Sequence, residues 1–398
     1  MKKKIRILLV EYCTDLSAGG AQRVFLNILK NLDVEKYKIY AGFPQNVGGD
    51  LDLEVPDHVD VFQYDSKSPD PSISKLLSYF LFVIFTPITV LRWLYIIRKE
   101  RIDVVYVHSI ISGFHFGLVK YFLGYRLIYH EHNMASQRPE TAIWRWLFNF
   151  VIRQSDAVIA ISKDVAESLH SLGAPKAKIM VIHNGIDLSC VSDLERLKRE
   201  GRRRMEIAGS DRRLLIGMIG HFRQWKGQAI FARSIMKLLA ANVDAHYVLV
   251  GAIHDQNYYK EVLAVINENS LGDRFSILGY QKNIPEIMSC LDVVVVPSVP
   301  EPFGLVLLEA MMLSKPIVAF NVGGPAEIIS HKETGLLVDN IESGALGDAI
   351  LTLALDRDLR TKMGASGRVK LEMNYTNALQ CQRIDGLVNS LLASHVGK

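Results

Sequence analysis

The segment DVVVVPSVPEPFGLVLLEAM, from Asp292 to Met311, decides the fold class that the sequence predicts. Its four consecutive valines indicate a strand that is buried on both faces, and Pro297 ends that strand. Pro300 and Pro302 exclude regular structure from the following loop, and Gly304 opens an apolar helix. An apolar strand that leads through a loop into a helix is typical of a parallel sheet covered by helices on both faces.

The same alternation runs along the whole chain of 398 residues. Strand-like segments in the first half are IRILLVEY, KIYAGF, DVVYVHS, RLIYHEH, DAVIAIS and KIMVIHN, and in the second half RLLIGMIGHF, AHYVLVGA, RFSILGY, DVVVVPS and PIVAFNVGG. The pattern restarts at Leu214, after the charged stretch 188–212. We therefore expect an α/β protein with two doubly wound Rossmann-like domains, residues 1–190 and 191–375, and ligands at the carboxyl ends of the strands. Helical spacing in 376–398 predicts a final helix that packs back toward the first domain.

The composition excludes several classes of protein. A formal net charge of +4 is too small to indicate nucleic-acid binding. The four cysteines, Cys13, Cys190, Cys290 and Cys381, are scattered and form no CxxC pair. This spacing argues against a disulfide framework or a zinc motif and favours reduced thiols in a cytosolic protein.

One apolar segment interrupts the pattern. Residues 76–91 are sixteen uncharged residues between Lys75 and Arg92, and Pro87 is expected to break them. A span needs about 20 such residues, so we do not expect a transmembrane helix. Two interpretations remain for 76–97. The segment is either a helix in the core or a helix in the interface of an anionic membrane. Its aromatic residues and the flanking basic residues favour the membrane interface.

The two glutamates of the opening segment form a candidate site for a sugar nucleotide. Glu301 lies on the loop at the carboxyl edge of the sheet, and Gly304 starts a helix whose free N–H groups suit phosphate. Glu309 follows about one turn later, on the same helix face as Leu305. A sugar, a diphosphate and a ribose in line would fit between the two carboxylates. The alternative is an ordinary strand–loop–helix with one solvated glutamate.

Basic residues follow the first strand of the same domain. The segment GHFRQWKGQ, Gly220 to Gln228, places Arg223 and Lys226 between a strand end and the next helix start. Both cations are candidates to contact a leaving diphosphate, where negative charge develops. The alternative is a solvated basic turn.

Two segments of the first domain also follow strands. SAGGAQR opens a helix with Gly19 and Gly20, which allow the backbone to approach a ligand closely. It lacks the spaced glycines of a dinucleotide fingerprint, which argues against a dehydrogenase. YHEHN carries His130 and His132, for which a residue facing a ligand, a structural pair and a metal site are the alternatives. A metal is disfavoured because no third ligand is evident.

Taken together, the motifs resemble the retaining GT-B glycosyltransferases of family 4. EPFGLVLLE matches the E-x7-E motif of that family, and VIHNGID at Val181–Asp187 matches the N-G-[IV]-D that closes its first domain. AISKDVAESL, VPSVPEPFG, VGGPAEII and TGLLV match in order and spacing. The resemblance covers nearly the whole chain.

The resemblance implies a nucleotide-diphosphate sugar, a UDP-sugar in preference to a GDP-sugar, bound mainly by the second domain. It implies Glu301 on the sugar, Glu309 on the ribose, and Arg223 and Lys226 on the diphosphate, with His132 near the reacting sugar. The other expected donor-binding residues are Gly19, Gly20, Tyr280, Phe303, Gly304 and Leu305. The chain departs from the family where members carry arginine directly after the glycine, because His221 stands there.

On this resemblance we expect a hexosyltransferase that needs no cofactor and no metal. Its acceptor would be a saccharide or a lipid-linked saccharide of a cell-surface glycan, such as lipopolysaccharide or capsule, at the cytoplasmic face of the membrane. One alternative is an isomerase like the UDP-N-acetylglucosamine 2-epimerases, which share the double fold. Another is a sugar-binding relative without catalytic activity.

Overall fold

The computed structural model describes residues 3–12, 19–44, 55–64, 75–139, 141–189, 191, 193–205 and 213–394, without the side chains of 75–81. The chain forms two compact units. Unit 1 is Met1–Gly185 together with Asn377–Lys398, and unit 2 is Ile186–Thr376.

Unit 1 is built on a parallel sheet of seven strands within the described residues, in the order β3-β2-β1-β4-β5-β6-β7. The strands are β1 (Ile5–Val10), β2 (Tyr37–Pro44), β3 (Asp60–Tyr64), β4 (Val104–Val107), β5 (Arg126–Glu131), β6 (Ala157–Ala160) and β7 (Ile179–Val181). Its described helices are α1 (Gly20–Asn31), α2 (Lys75–Glu100), α3 (Ile110–Lys120), α4 (Ala142–Gln154), α5 (Lys163–Ser171) and, at the end of the chain, α15 (Asn377–Ala393). The central strands β4 and β6 are buried along their whole length, as strands covered on both faces must be.

Helix α15 lies in unit 1 although it follows unit 2 in the chain. It packs against α1, and its Asp385 accepts a hydrogen bond of 2.6 Å from the hydroxyl of Tyr37. Lys36 forms an ion pair of 2.5 Å with the same carboxylate. These contacts fix the last helix of the chain to the start of β2.

Unit 2 has a parallel sheet of six strands within the described residues, in the order β10-β9-β8-β11-β12-β13. The strands are β8 (Leu214–Ile219), β9 (Ala245–Val250), β10 (Phe275–Ile277), β11 (Val293–Val296), β12 (Ile317–Phe320) and β13 (Gly335–Val338). The described helices are α6 (Leu194–Arg204), α7 (Gln228–Ser234), α8 (Met236–Ala240), α9 (Gln256–Glu268), α10 (Ile284–Cys290), α11 (Leu305–Met312), α12 (Gly324–Ile328), α13 (Ser343–Leu355) and α14 (Arg357–Asn374). The two sheets confirm the predicted α/β architecture of two doubly wound halves.

The strand orders locate the crevices of both sheets. In a doubly wound sheet, ligands bind at the carboxyl edge where the strand order reverses. This point lies between β1 and β4 in unit 1 and between β8 and β11 in unit 2. The loops after these four strands carry Gly19, His108, Lys226 and Glu301 respectively.

Helix α2 differs from its prediction in two ways. It continues through Pro87 to Glu100, because Pro87 lies on the exposed side, where water can solvate the carbonyl that loses its N–H partner. The aromatic residues Phe82 and Phe85, whose exposure would suit a membrane interface, are half-buried instead. The ring centres of Phe82 and Phe114 lie 6.0 Å apart. None of the described helices combines the length and apolar character needed to cross a membrane.

Candidate active site

An ion pair between Lys226 and Glu301 lies at the crevice of unit 2. Lys226 ends a short 3-10 turn after β8, and its Nζ lies 2.6 Å from Oε2 of Glu301 on the loop after β11. The loops are also joined through their main chains, because the N–H of Val299 donates to the carbonyl of Trp225 over 2.7 Å. The structure therefore brings together two site residues that the sequence predicts 75 positions apart.

Glycines allow the loops of this crevice to approach one another. Gly227 has φ +83°, and a Cβ there would lie 2.4 Å from the carbonyl oxygen of Pro297. A Cβ on Gly323 would lie 2.3 Å from the carbonyl oxygen of Glu301, and one on Gly324 would lie 2.1 Å from that of Phe303. Gly323 and Gly324 were not predicted as site residues, although they lie in the motif VGGPAEII that carries the family resemblance. Their role is to hold the backbone around Glu301 in place.

Helix α11 begins directly beside this ion pair. Gly304 is its N-cap with φ +93° and offers no side chain to the first N–H groups of the helix. Leu305 is half-buried and Glu309 is buried one turn later. The side chain of Phe303 is also buried and packs 6.2 Å from the ring of Tyr375, so only its main chain is left to contact a ligand.

Arg223 lies at a cavity of about 770 Å³ on unit 2. Its guanidinium carbon is 5.3 Å from the ring centre of Trp225, a cation–π contact. The lining residues are Arg223, Gln224, Trp225, His254, Asp255, Gln256, Asn257 and Val299.

His221, which stands where the family often has arginine, has its ring centre 4.5 Å from that of His254. Gln228, which the sequence analysis missed, is buried and donates to the carbonyls of Gly220 and His221.

The loops after β9 and β10 complete this edge of unit 2. Gly251 has φ +157°, and its N–H donates to the carbonyl of Gly279 over 2.8 Å. A Cβ on Gly251 would lie 2.1 Å from the carbonyl oxygen of Gly220. Tyr280 follows and is 56% exposed. Its contact with a donor stays a prediction.

In unit 1, Gly19 and Gly20 mark the start of α1. Gly19 is the N-cap in extended backbone, and Gly20 is the first residue of the helix. Residues 13–18, which precede these glycines, lie outside the described residues. The placement at the end of β1 agrees with a loop at the crevice of the first sheet.

Three histidines form a cluster at the same edge of unit 1. His130 lies in β5, and His132 follows two residues later on the same side of the chain, so their ring centres are 4.1 Å apart. His108 follows the adjacent strand β4, and its Nδ1 is 2.9 Å from Nε2 of His132. Nδ1 of His130 is 2.9 Å from the hydroxyl of Tyr106. We call His108, His130 and His132 the histidine cluster.

The carboxylate of Glu131 fixes the backbone beside His132. The N–H groups of His132 and Asn133 each donate to its Oε1 over 2.9 Å, and Tyr129 donates to Oε2 over 2.6 Å. Arg138 forms an ion pair with the same carboxylate. Burial raises the pKa of Glu131, but Arg138 and these hydrogen bonds outweigh it, so the pKa lies below its usual range. Glu131 is therefore charged at neutral pH.

The imidazoles of the histidine cluster are uncharged at neutral pH. Burial lowers the pKa of His132 to about 4. It also brings the pKa values of His108 and His130 well below the ordinary value, and the neighbouring histidines add to the effect. Each neutral ring therefore has one nitrogen with a lone pair that can accept a hydrogen bond or bind a metal.

Comparisons with known proteins agree with this architecture. Residues 202–370 match the model of glycosyl transferases group 1, and residues 18–189 match the model of glycosyltransferase family 4. The chain is 30% identical over 278 residues to the N-acetyl-alpha-D-glucosaminyl L-malate synthase of Bacillus anthracis, covering 68% of this chain and 70% of that one. It is 31% identical over 263 residues to the lipopolysaccharide core biosynthesis mannosyltransferase LpcC of Rhizobium leguminosarum bv. viciae, covering 66% and 71%.

Among solved structures, Anabaena HepE in complex with UDP and glucose superimposes with a TM-score of 0.79 at 23% identity, over 97% of this chain and all of that one. This likeness shows the GT-B fold class, which has two Rossmann-like domains. Within that class, the chain belongs to the family 4 glycosyltransferases and is a glycosyltransferase.

Proposed function

We propose that the protein is a retaining hexosyltransferase that moves a sugar from a UDP-sugar to a saccharide or lipid-linked saccharide in cell-surface glycan biosynthesis. The observation that carries the proposal is the Lys226–Glu301 pair at 2.6 Å, beside the N-terminus of α11 at the crevice of unit 2. UDP is the donor nucleotide we favour because HepE binds UDP and glucose in its solved complex. The Rhizobium relative, named for lipopolysaccharide core biosynthesis, supports a glycan acceptor.

The residues of unit 2 suit the parts of such a donor. The N–H groups that open α11 and the Nζ of Lys226 would bind the diphosphate, where charge accumulates as the sugar bond breaks. Glu301 would accept hydrogen bonds from the sugar hydroxyls once Lys226 turns toward phosphate. Glu309, buried one turn into the helix, would accept from the ribose.

This arrangement stabilises a leaving diphosphate without a divalent metal. Lys226, Arg223 and the positive end of α11 supply the opposite charge that a metal ion provides in other transferases. In unit 1, His132 would contact the reacting sugar. We accordingly propose catalysis without a metal cofactor.

We further propose that the enzyme acts in the cytoplasm, as a peripheral protein on the inner face of the membrane. Helix α2 presents a row of exposed apolar side chains, namely Val83, Ile84, Ile88, Leu91 and Tyr95, which are 67%, 47%, 58%, 66% and 66% exposed. Arg92, Arg98 and Lys99 are exposed on the same helix. An apolar row flanked by basic residues suits an anionic lipid surface, and each basic residue adds about 1 kcal/mol there. We call this row the α2 face.

The experiment that tests the donor is a thermal-shift screen of the full chain against UDP, GDP and other nucleotides and their sugars. A ligand at about 100 times its Kd stabilises the protein by about 2.7 kcal/mol, which raises the melting temperature measurably. We expect UDP and one UDP-sugar to stabilise most. A screen in which no nucleotide raises the melting temperature would contradict the proposal.

Incubation with donor alone separates the transferase from an epimerase. An epimerase would convert the sugar of its nucleotide donor without an acceptor, whereas a transferase needs the acceptor to form product. Analysis of the recovered nucleotide sugar should show the starting sugar unchanged. An epimeric nucleotide sugar would favour the isomerase.

A further inference from the structure

The histidine cluster of unit 1 has two ring nitrogens that the described residues leave unsatisfied. Nε2 of His108 and Nε2 of His130 are both buried and have no hydrogen-bond partner among those residues. Both histidines are more than nine-tenths buried, with 7% and 0% of their surface exposed. An unsatisfied buried polar atom destabilises a protein, so a ligand that satisfied both nitrogens would be stabilised.

The surroundings of His130 resemble those of a metal ligand. Its Nδ1 bonds the hydroxyl of Tyr106 at 2.9 Å, and its Nε2 has no hydrogen-bond partner among the described residues. Histidines that bind metals usually hold one ring nitrogen in such a hydrogen bond, and this bond fixes the ring for coordination through the other. A metal was disfavoured from the sequence because no third ligand is evident there. The structure supplies that ligand as His108, from the strand adjacent to β5.

We propose that His108, His130 and His132 bind a divalent transition metal of the zinc type. Each ring offers one nitrogen, and these atoms lie within 4.8 Å of one another. Zinc holds histidine nitrogens at about 2.0–2.1 Å, so tetrahedral coordination needs them roughly 3.4 Å apart. Ring rotations that replace the hydrogen bond between His108 and His132 would bring the nitrogens to this spacing.

Three neutral imidazoles favour zinc over magnesium or calcium, which prefer oxygen ligands. The Glu131–Arg138 pair beside His132 carries no net charge and adds little repulsion toward a cation. The fourth coordination position would hold water. All three proposed ligands lie in unit 1, whereas the residues proposed to bind the diphosphate and the ribose lie in unit 2.

The consequence for catalysis rests on the proposed role of His132. A zinc ion bound to that ring would prevent its contact with the reacting sugar. Zinc should therefore inhibit sugar transfer, and chelation should restore it.

The test is a zinc titration of the full-length, EDTA-treated and dialysed protein without substrate, in competition with a metal-indicator dye. We expect one zinc ion per chain. His108→Asn and His130→Asn should each weaken zinc binding at least tenfold. His115→Asn, which replaces another buried histidine of unit 1, is the matched control and should leave the zinc affinity unchanged.

Tyr106→Phe is a second variant whose fold should persist, because it removes only the hydroxyl that bonds His130. It therefore tests the site even if the histidine variants fail to fold. It should lower zinc affinity by roughly 10- to 100-fold, as loss of an outer hydrogen bond to a ligand does. Wild type bound to Co²⁺ should show the visible absorption of a tetrahedral site. The proposal is overturned if wild type binds no stoichiometric zinc, or if His108→Asn, His130→Asn and Tyr106→Phe all keep the wild-type affinity. Because the titration uses no substrate, its failure does not bear on the proposed transferase activity.

Discussion

At the scale of single residues, Lys226 and Glu301 depend on each other. Their charges lie 2.6 Å apart, and the side chain of Glu301 is only 8% exposed. Removing one partner leaves the other charge poorly solvated, which destabilises the fold as well as the site. Neutral substitutions of the same shape are therefore the informative ones for this loop.

We predict that Glu301→Gln and Glu309→Gln have different kinetic effects. Glu301→Gln should lower kcat by about 10²-fold with little change in the KM for donor, because its contact with the sugar strengthens in the transition state. Glu309→Gln should raise the KM for donor about tenfold and largely preserve kcat, because a ribose contact is made equally in the ground state and in the transition state. Steady-state measurement of nucleotide release gives both constants.

The control for this pair is Glu333→Gln, an exposed glutamate of unit 2. It should behave as wild type in both constants. If the Glu301 and Glu309 variants also show wild-type kinetics, these two carboxylates do not form the donor site.

A second prediction concerns His115 in α3. Burial lowers its pKa to about 4, and its Nε2 is 3.4 Å from the hydroxyl of Thr86 on α2. The unfolded chain binds the proton at a pKa near 6.5, so it holds more protons than the folded chain between the two values. Stability is therefore lost as the pH falls from about 6.5 toward 4, by about 2 kcal/mol at pH 5 for this group.

His115→Asn should reduce this acid sensitivity, measured as the change in the unfolding free energy between pH 7 and pH 5 in urea. The exposed His58→Asn is the control and should keep the wild-type change. The histidine cluster contributes to the change in all three proteins, so only the difference between them is informative. Equal pH dependence in His115→Asn and wild type would show that His115 is accessible to protons in the folded state.

The sequence predicted which site residues follow strands, but not which ones touch. Glu301 and Lys226 were assigned to a crevice because strand ends meet at one edge of a parallel sheet. Burial of the Phe303 ring against Tyr375 depends on packing between segments far apart in sequence. The same is true of His108, which reaches His132 only because β4 and β5 are neighbours.

At the scale of the elements, α2 shows where pattern recognition fails. The segment is apolar on nearly every side, so no periodicity indicated which face would be buried. The structure buries Trp93 and half-buries Phe82, and it exposes the α2 face instead. A membrane test based on Phe82 or Phe85 would therefore disturb packing rather than docking.

We predict that Ile88→Asp/Leu91→Asp abolishes binding to anionic vesicles. Both side chains are exposed, so the fold should persist while apolar contact with lipid is lost. Vesicle flotation of wild type should weaken as salt is raised, because screening shortens electrostatic range to about 10 Å at 0.1 M. Melting temperature serves as the measure of folding.

The matched control is Val369→Asp/Met373→Asp on α14, whose side chains are 55% and 70% exposed. This variant adds the same two charges to a different apolar pair and should float as wild type does. If wild type ignores anionic vesicles, or if both variants lose binding equally, the α2 face does not dock the protein on lipid.

At the scale of the whole molecule, the two sheets place their functional loops in the same way. Each sheet reverses its strand order once, and candidate site residues follow the strands on both sides of that point. The sequence predicted this architecture well because parallel strands are apolar runs separated by helix-length segments. The last helix, α15, was expected to pack back toward the first domain, but its contact through Asp385 could not be predicted, since that contact links residues 348 positions apart.

Unit 2 is proposed to bind a nucleotide diphosphate through Lys226 without a metal, and calorimetric titration of UDP in the presence of EDTA measures this binding. We expect one UDP to bind per chain of wild type. Lys226→Gln should weaken binding at least tenfold, while the exposed Lys260→Gln of the same unit should bind as wild type. Absence of binding until magnesium or manganese is added, or equal affinity in Lys226→Gln and wild type, would show that metal-free binding through Lys226 is wrong.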